Sequence, residues 1–364
     1  MSETLDSTPA ADGLRMPAEW EPHAATWMAW PRRPDTWRLN GRPAQEAFAR
    51  VAAAIAAAEP VTVGASAGQA ENARALLPGD VHVVELSTDD AWMRDIGPTF
   101  VTDGRGELRG VDWIFNAWGG AYDGLYPDWQ QDDAVAAAIL GSLGAKRYRA
   151  PFVMEGGAIH VDGEGTVLTT EECLLSPGRN PGLTRAQIEA HLLAYLGAEK
   201  VLWLGAGVHL DETTGHVDNL ACFTSPGVVA LTWTDDKSDP QHAISADAER
   251  RLLSMTDARG RCIEVHRIQQ PGPLEITAEE AAGVEVAPGS KPRRAGDRLA
   301  GSYVNFYIAN DRVVFPLLDE RHDDDAAAKL AELFPGRQVV GVPGREILLG
   351  GGNIHCITQQ LPAV

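Results

Sequence analysis

The chain has 364 residues, of which 44% are hydrophobic, enough for one large domain or for two or three smaller ones. Its 31 basic and 51 acidic residues give a formal net charge of −20. Nucleic acids and anionic membranes bind basic patches, so this charge argues against both as partners and favours a small cationic one.

The predicted elements begin after residues 1–15, whose polar and acidic composition predicts a disordered tail. Residues 16–364 are expected to form a single domain. Alanine content and apolar periodicity predict helices over 44–58, 132–143, 184–196 and 325–333, the third opened by the capping-box pair Thr184 and Gln187. Short β-branched runs predict strands over 61–63, 81–84, 201–204 and 228–233. The sequence therefore predicts an alternating α/β fold, with 286–298 as a surface loop.

A weak repeat runs through these elements. Five short strands are each expected to begin beside a Gly, Asp or Asn turn, at 94–97, 155–158, 215–219, 301–305 and 351–353. The starts lie roughly 50 to 90 residues apart, near the upper range of propeller repeats. The pattern predicts a closed ring of similar ββαβ-like units, each supplying polar groups to one central site.

The four cysteines, at positions 173, 222, 262 and 356, are widely separated. They form no C-x-x-C pair and predict neither a disulfide framework nor a zinc site. The first fourteen residues show no secretory signal, and the longest apolar stretch, 51–58, is too short to span a bilayer. These features predict a cytoplasmic protein.

The segment 350–358 contains the first candidate for chemistry, Cys356. Three glycines precede it and allow close approach of backbone and ligand. On a strand, Cys356 would face one way and His355 the other, which presents a thiol at the mouth of a narrow site. The alternative is a buried structural cysteine, since free cysteine packs like a small hydrophobic residue.

His216 is the predicted acid–base partner. On a strand, His216 and Asp218 would point the same way, and histidine titrates near neutrality. Cys356 and His216 thus form a candidate nucleophile–base pair from distant parts of the chain. A histidine with a purely structural role is the alternative. His355 is the rival base, disfavoured because it should leave the opposite face from Cys356.

Three carboxylates, Asp95, Glu155 and Asp218, are expected to line the same pocket. Alone each could be a turn or cap residue, and together they would raise the pKa of a nearby thiol unless a cation balanced them. A metal ion is one such cation, but no H-E-x-x-H spacing is present. A guanidinium stays charged, is planar and can be gripped bidentately, so we favour it. Trp92 and Trp118 are candidate stacking partners for this ligand.

These residues resemble those of the agmatine deiminases in the guanidino-group-modifying (pentein) superfamily. The resemblance spans 16–360 and implies that 16–364 form a catalytic five-bladed β/α-propeller, without cofactor or metal, as a possible homodimer or homotetramer. It rests on these motifs: Met16-Pro17-Ala18-Glu19-Trp20, Asp89-Asp90-Ala91-Trp92-Met93-Arg94-Asp95, Phe115-Asn116-Ala117-Trp118-Gly119-Gly120, Glu155-Gly156-Gly157, Thr169-Thr170-Glu171-Glu172-Cys173, Gly215-His216-Val217-Asp218-Asn219, Gly301-Ser302-Tyr303-Val304-Asn305 and Pro343-Gly344-Arg345-Glu346.

The resemblance also implies an activity: hydrolysis of agmatine to N-carbamoylputrescine and ammonia, a step from arginine toward putrescine. Cys356 would become amidinated as the nucleophile, and His216 would be the general acid–base. Glu155 would orient the histidine and hold the guanidinium, whose nitrogens Asp95 and Asp218 would bind.

The far end of the substrate is less defined by sequence. Asp211 could help bind it, and Gly352 would let it approach the backbone. The chain departs from the family pattern at His209, Leu210 and Thr214, which leaves the preferred amine or chain length open.

Two other functions compete with this prediction. An arginine or peptidyl-arginine deiminase of the same superfamily is the first; free arginine would need a basic clamp for its carboxylate, and Arg94 is expected to point away from Asp95. A catalytically silent polyamine- or guanidine-binding protein is the second, which would not need Cys356 and His216 together.

Overall fold

The structure, a computed structural model, describes residues 2–364. Its strands are β1 (His23–Ala29), β2 (Val61–Ala65), β3 (His82–Glu85), β4 (Thr99–Thr102), β5 (Leu108–Ile114), β6 (Lys146–Val153), β7 (Ile159–Val161), β8 (Thr166–Thr170), β9 (Lys200–Leu204), β10 (Ala221–Ser225), β11 (Val228–Trp233), β12 (Glu264–Gln269), β13 (Leu274–Glu275), β14 (Arg298–Leu299), β15 (Tyr307–Ile308), β16 (Arg312–Leu317), β17 (Gln338–Pro343) and β18 (Gln359–Pro362).

The helices alternate with these strands. They are α1 (Arg42–Ala56), α2 (Ala70–Leu76), α3 (Met93–Ile96), α4 (Gly120–Asp123), α5 (Asp132–Leu143), α6 (Glu171–Leu174), α7 (Arg185–Leu196), α8 (Val217–Leu220), α9 (Pro240–Ser254), α10 (Ala278–Ala282), α11 (Asp323–Leu333) and α12 (Arg345–Leu348), with 3₁₀ turns at Arg38–Gly41 and Gly156–Ala158. Every helix within residues 2–364 is too short or too polar to cross a membrane.

Five sheets repeat one topology. In β4-β5-β6, β7-β8-β9, β10-β11-β12 and β15-β16-β17, the first strand runs antiparallel to the second and the second parallel to the third. The fifth, β18-β1-β2-β3, follows the same rule but joins the last strand to the first ones. This arrangement confirms the predicted α/β class and the fivefold repeat.

Each repeat has a helix between its two parallel strands, because parallel neighbours need a long crossover. These crossover helices are α1, α5, α7, α9 and α11. Four of them are the predicted helices, and the Thr184–Gln187 capping box is present at the start of α7. Helix α9, whose exposed face is rich in charged residues, was not predicted from the sequence.

Helix α1 shows why these segments fold as they do. Pro43 lies in its first turn, where a missing N–H costs no helical hydrogen bond. Phe48, Val51 and Ile55 then recur at helical spacing and are buried in the core beside β2. Burial of this one face holds the crossover against its sheet.

The prediction of a disordered N-terminal tail is wrong for residues 2–15; Met1 lies outside the described residues. Thr4 bridges to Arg147, and Arg15 bridges to Thr102 beside β4. Leu14 is only 2% exposed and belongs to a core cluster. Leu5 packs against the same cluster, so a few apolar residues hold this otherwise polar segment in place.

Candidate active site

The five predicted strand starts are turns or short helices that immediately precede the first strand of each repeat. Asp95 lies on α3 before β4, Glu155 precedes the 3₁₀ turn before β7, and His216 caps α8 before β10. Asn305 precedes β15, and Cys356 precedes β18. Equivalent positions in the five repeats therefore supply the polar groups of the site.

Cys356 lies in a turn over 354–357, and not in the predicted strand. Gly351 precedes the turn with φ of 113°, a conformation that side-chain-bearing residues rarely adopt. A Cβ on Gly352 would come within 2.9 Å of the Cys356 sulfur and 2.6 Å of the Trp92 ring. The glycines thus fold the bare backbone directly against the thiol.

The thiol is buried beside polar groups, with Cys356 only 4% exposed. Asn305 donates through Nδ2 to Sγ at 3.2 Å, and Asp218 Oδ2 lies 3.6 Å from Sγ. Burial raises the pKa of the Cys356 thiol well above its usual value, and Asp218 and Asp95 raise it further. Sequence reasoning gave Asn305 no role, although its place in the fourth repeated turn was the available signal.

His216 and Asp218 do converge, although they do not lie on a strand. Around Gly157, a Cβ would come within 2.5 Å of His216 Nδ1, 2.9 Å of Asp218 Oδ2 and 3.0 Å of Asp95 Oδ1. Only a residue without a side chain fits there. His216, Asp218 and Asp95 therefore converge next to the bare backbone of Gly157.

Asp95 is held by two donors. Its Oδ1 accepts from the Gly157 N–H at 2.9 Å, and its Oδ2 accepts from Trp118 Nε1 at 2.9 Å. Burial raises the pKa of Asp95 to about 6, although His216 opposes the shift. The Asp95 carboxylate therefore has a fixed orientation, and its burial makes ionisation unfavourable.

Glu155 is fully buried and paired with Arg179, whose Nε donates to Glu155 Oε1 at 2.9 Å. Arg179 also donates to the Thr213 carbonyl at 2.6 Å and to Thr214 Oγ1 at 3.2 Å. Although burial opposes it, Arg179 and His216 lower the pKa of Glu155 below its usual value. Arg179 is a site residue that the sequence analysis missed.

The His216 ring lies between two carboxylates. Its Nδ1 is 3.9 Å from Asp95 Oδ1 and its Nε2 is 3.6 Å from Glu155 Oε2, and neither nitrogen has a hydrogen-bond partner within residues 2–364. Burial disfavours the charged ring, yet Asp95 and Glu155 raise the pKa of His216 well above its usual value. The two carboxylates therefore favour the protonated form of the His216 ring.

His355 supports Asp218 from behind. Its Nδ1 lies 2.9 Å from Asp218 Oδ2 and its Nε2 lies 2.8 Å from Glu19 Oε1, while Arg94 donates to Glu19 at 3.1 Å. Ionised carboxylates only accept, so the His355 ring must donate on both sides. Asp218 Oδ2 is thereby fixed, whereas Oδ1 is buried and has no hydrogen-bond partner among residues 2–364. Arg94 points away from the pocket, which agrees with its predicted orientation.

A narrow pocket leads to the thiol. Its lining comprises Trp92, Asp95, Trp118, Leu125, Thr213, Gly350, Gly351, Gly352 and Cys356. The Trp92 and Trp118 rings meet edge to face with centroids 6.5 Å apart. Both predicted tryptophans and Gly352 therefore border the same space as Asp95 and the thiol.

Asp211 does not line this pocket, contrary to expectation. Its Oδ1 accepts from the Thr213 N–H at 3.0 Å and from the Thr213 hydroxyl at 2.8 Å, so it stabilises its own loop. The neighbouring Glu212 lies at the mouth, where its Oε2 would contact a Cβ on Gly351 and has no partner within residues 2–364. Its Oε1 pairs with Arg293, a residue of the predicted surface loop 286–298.

The three departures from the family pattern occupy different positions. Leu210 is 56% exposed with φ of 64°, and the His209 N–H donates to Gln241. Thr214, with φ of 63°, accepts from Arg179. Of the three, Thr214 is in contact with the residue that holds Glu155.

Among the described residues, two groups of buried side chains could hold a metal ion. One is Glu19, His160 and His355, and the other is Glu155, Cys173 and His216. The first group already forms the network behind Asp218. The second includes Glu155 and His216, which lie next to each other beside Asp95.

A family model, Porphyromonas-type peptidyl-arginine deiminase, matches residues 15–362. The chain belongs to this family. Among family relatives, agmatine deiminases of Ectopseudomonas mendocina and Pseudomonas aeruginosa (strain LESB58) are each 59% identical to it. These matches cover 99% and 98% of this chain and 98% of each relative.

A solved family structure is similar throughout. Agmatine deiminase of Enterococcus faecalis, described as catalysing its reaction, superposes with a TM-score of 0.97 at 49% identity. The match covers 100% of this chain and 99% of that one. The described α/β architecture is thus that of the agmatine deiminases in the family.

Proposed function

We propose that this protein is an agmatine deiminase, which hydrolyses agmatine to N-carbamoylputrescine and ammonia. The observation that carries the proposal is the convergence of His216, Asp218 and Asp95 around the bare backbone of Gly157, beside the buried Cys356 thiol. Such a site has excess negative charge unless a cation fills it. Relatives of 59% identity named agmatine deiminase support a guanidinium as that cation.

Binding begins with the planar guanidinium. Asp95 and Asp218 grip its nitrogens, using the fixed Asp95 carboxylate and the unpartnered Oδ1 of Asp218. Glu155, which Arg179 already orients, binds the third side of the guanidinium and faces His216. The bound positive charge lowers the pKa of Cys356, and the thiol proton leaves to solvent. The nucleophile therefore forms only when substrate is present.

The chemistry then proceeds in two halves. The Cys356 thiolate attacks the central guanidinium carbon, and His216 donates its proton to one amino group, so that ammonia leaves and a cationic amidino-thioether remains. His216 next takes a proton from water as hydroxide adds to the same carbon. Collapse breaks the carbon–sulfur bond and regenerates the thiolate, and the product loses its hydroxyl proton to solvent as the neutral ureido compound.

The far ammonium of agmatine requires a partner at the pocket mouth. Glu212 is suited to this role because its Oε2 is unpartnered next to Gly351. The sides of the pocket, Trp92 and Trp118, suit the apolar chain between the two charges. Lys291 and Arg293 also lie at the mouth, but both already face Glu212.

The fold of the catalytic unit is part of the proposal. We place residues 16–364 in a five-bladed β/α-propeller, in which five sheets of equivalent topology surround the site. Two observations support this closure: the equivalent polar turns converge around Gly157 and Cys356, and β18 pairs with β1 to join the last strand to the first. The free cysteines at the site suit the reducing cytoplasm, and a homodimer or homotetramer is the expected assembly.

A substrate panel tests the activity. We expect ammonia release and ureido product with agmatine, and a kcat/KM at least about 100-fold lower with free arginine, whose carboxylate would be placed near Glu212. Benzoyl-arginine amide represents the peptidyl-arginine substrates in the family name, and guanidinoalkylamines one carbon shorter and longer test chain length. Turnover of arginine or the peptidyl analogue alone would contradict the proposal, and tight binding of agmatine without turnover would indicate a binding protein.

The effect of agmatine on stability should depend on pH. Folding raises the pKa of Asp95 from 3.8 to about 6. Its contribution to stability is therefore fully present below pH 3.8 and is lost as the pH rises through 6, a cost of about 3 kcal/mol by linkage. A bound guanidinium offsets this cost, so agmatine should raise the Tm of Cys356→Ser more at pH 7 than at pH 5.

Differential scanning calorimetry measures this effect, with putrescine as the matched ligand that lacks the guanidinium. In Cys356→Ser combined with Asp95→Asn, the difference between pH 5 and pH 7 should shrink. An agmatine-induced Tm shift that is the same at both pH values would contradict the role assigned to Asp95.

A further inference from the structure

A second buried thiol, Cys173, adjoins the catalytic groups but has no part in the proposed reaction. It lies on α6, and Thr170 accepts from its backbone N–H at 3.2 Å. Its sulfur is 4.0 Å from Glu155 Oε2, and the same carboxylate oxygen is 3.6 Å from His216 Nε2. A thiol, an imidazole and a carboxylate thus present one ligand atom each to the same small space.

The spacing of these atoms resembles that of zinc ligands. With Zn–S near 2.3 Å and Zn–N and Zn–O near 2.1 Å, tetrahedral geometry puts ligand atoms about 3.4 to 3.6 Å apart. The Glu155–His216 separation of 3.6 Å lies within this range, the Glu155–Cys173 separation of 4.0 Å exceeds it slightly, and all three ligand atoms lie within 4.8 Å of one another. Modest side-chain adjustments would bring the three atoms to zinc-binding distances.

The ligand atoms are also available. Arg179 occupies Glu155 Oε1 and leaves Oε2 for another partner. Neither ring nitrogen of His216 has a hydrogen-bond partner within residues 2–364, although the residue is fully buried. Because a buried polar group without a partner is unusual, the His216 ring is open to a ligand.

Local charge favours a divalent cation when substrate is absent. Asp95 lies 3.9 Å from His216 on the side away from Glu155, and Asp218 is close by around Gly157. Arg179 opposes the ion from behind Glu155, but its charge is already matched by that carboxylate. The set of sulfur, nitrogen and oxygen ligands is typical of zinc and cobalt, and not of magnesium or calcium.

We propose that Glu155, Cys173 and His216 form an inhibitory binding site for zinc-class divalent ions, with the fourth coordination position open toward the pocket. The inhibitory effect rests on the proposed function, because Glu155 and His216 serve the reaction. Binding converts the Cys173 thiol to a metal thiolate and takes His216 as the neutral imidazole, so one proton from each residue is released to solvent. The ion holds Glu155 and His216 and repels the guanidinium, so inhibition is competitive with agmatine and reversed by a chelator.

Cobalt spectroscopy tests the site without relying on turnover. Co²⁺ added to the metal-free Cys356→Ser protein should give a near-ultraviolet thiolate charge-transfer band at one equivalent. The band should be absent from the Cys356→Ser, Cys173→Ser double variant, and Zn²⁺ should displace Co²⁺ from the first protein. A band that survives loss of Cys173, or none in either protein, would overturn the proposal.

Inhibition by zinc tests the proposed effect of this metal site on activity. In the otherwise wild-type enzyme, Cys173→Ser should raise the Zn²⁺ concentration for half inhibition at least about tenfold. The ratio of rates with and without Zn²⁺ is compared within each variant, and Cys173→Ala with a thermal melt serves as a second variant should the serine perturb folding. An unchanged zinc sensitivity in both variants would place the ion on Cys356 and overturn the proposal. If agmatine is not turned over at all, the proposed function fails while the cobalt result still decides the metal site.

Discussion

Replacing Cys356 by serine is expected to lower the kcat for agmatine by about 10⁴-fold or more, a loss typical of removing a covalent nucleophile. A serine hydroxyl ionises far less readily than a thiol, and Asp218 and Asp95 oppose the anion further. Agmatine binding should remain within a few fold, because the carboxylates that hold the guanidinium are untouched. Steady-state ammonia release and calorimetric titration measure the two quantities.

The covalent intermediate offers a check on the same residue. Acid-quenched wild-type enzyme should show an adduct with the mass of agmatine less ammonia, localised to the peptide that contains Cys356. The serine variant should lack it. Ammonia release by Cys356→Ser at the wild-type rate would exclude the covalent route.

The substitution Gly157→Ala, which adds one methyl group, should lower the catalytic rate almost as clearly as Cys356→Ser. A Cβ there would lie 2.5 Å from His216 Nδ1 and 3.0 Å from Asp95 Oδ1, so the ring or the carboxylate must move. Displacing catalytic groups by about 1 Å costs on the order of 100-fold in rate, and we expect at least this loss of kcat/KM in Gly157→Ala. Overpacking should destabilise the fold by about 1 to 3 kcal/mol, which urea denaturation measures.

Gly182→Ala is the matched control. The same Cβ at Gly182 meets nothing within 4 Å, and Gly182 does not have a positive φ. Its activity and stability should match the wild type. Full activity in Gly157→Ala would show that the guanidinium does not bind in the space next to Gly157 where His216, Asp218 and Asp95 converge.

Sequence predicted the repeat and its helices well, because these depend on local patterns. The crossover helices α1, α5, α7 and α11 show apolar spacing or high alanine content, and the five polar turns share glycine and carboxylate signals. Helix α9 was missed because two of its four buried residues, Gln241 and Ser245, are polar, so its buried face lacks an apolar pattern. The expected strands around Cys356 and His216 are turns, since the glycines that identified the segments also break the strand.

The residues that support the catalytic groups could not be predicted from local sequence patterns. Arg179 contacts Glu155 from 24 residues away, and Glu19 contacts His355 from 336 residues away. Nothing in either local sequence specifies these contacts. At the pocket mouth, a choice between the adjacent Asp211 and Glu212 depended on loop geometry, with Leu210 and Thr214 both in left-handed conformations.

The fifth sheet has a consequence for how the enzyme is made. Three of its strands end by Glu85, but the fourth, β18, starts at Gln359, directly after the turn that carries Cys356. On the ribosome, the early strands must wait for β18 until the other four sheets have been synthesised. The reactive sulfur likewise follows those four sheets in the chain, so nascent chains that end before it stay inert, and a chain that ends before Gln359 would lack the strand that follows the Cys356 turn.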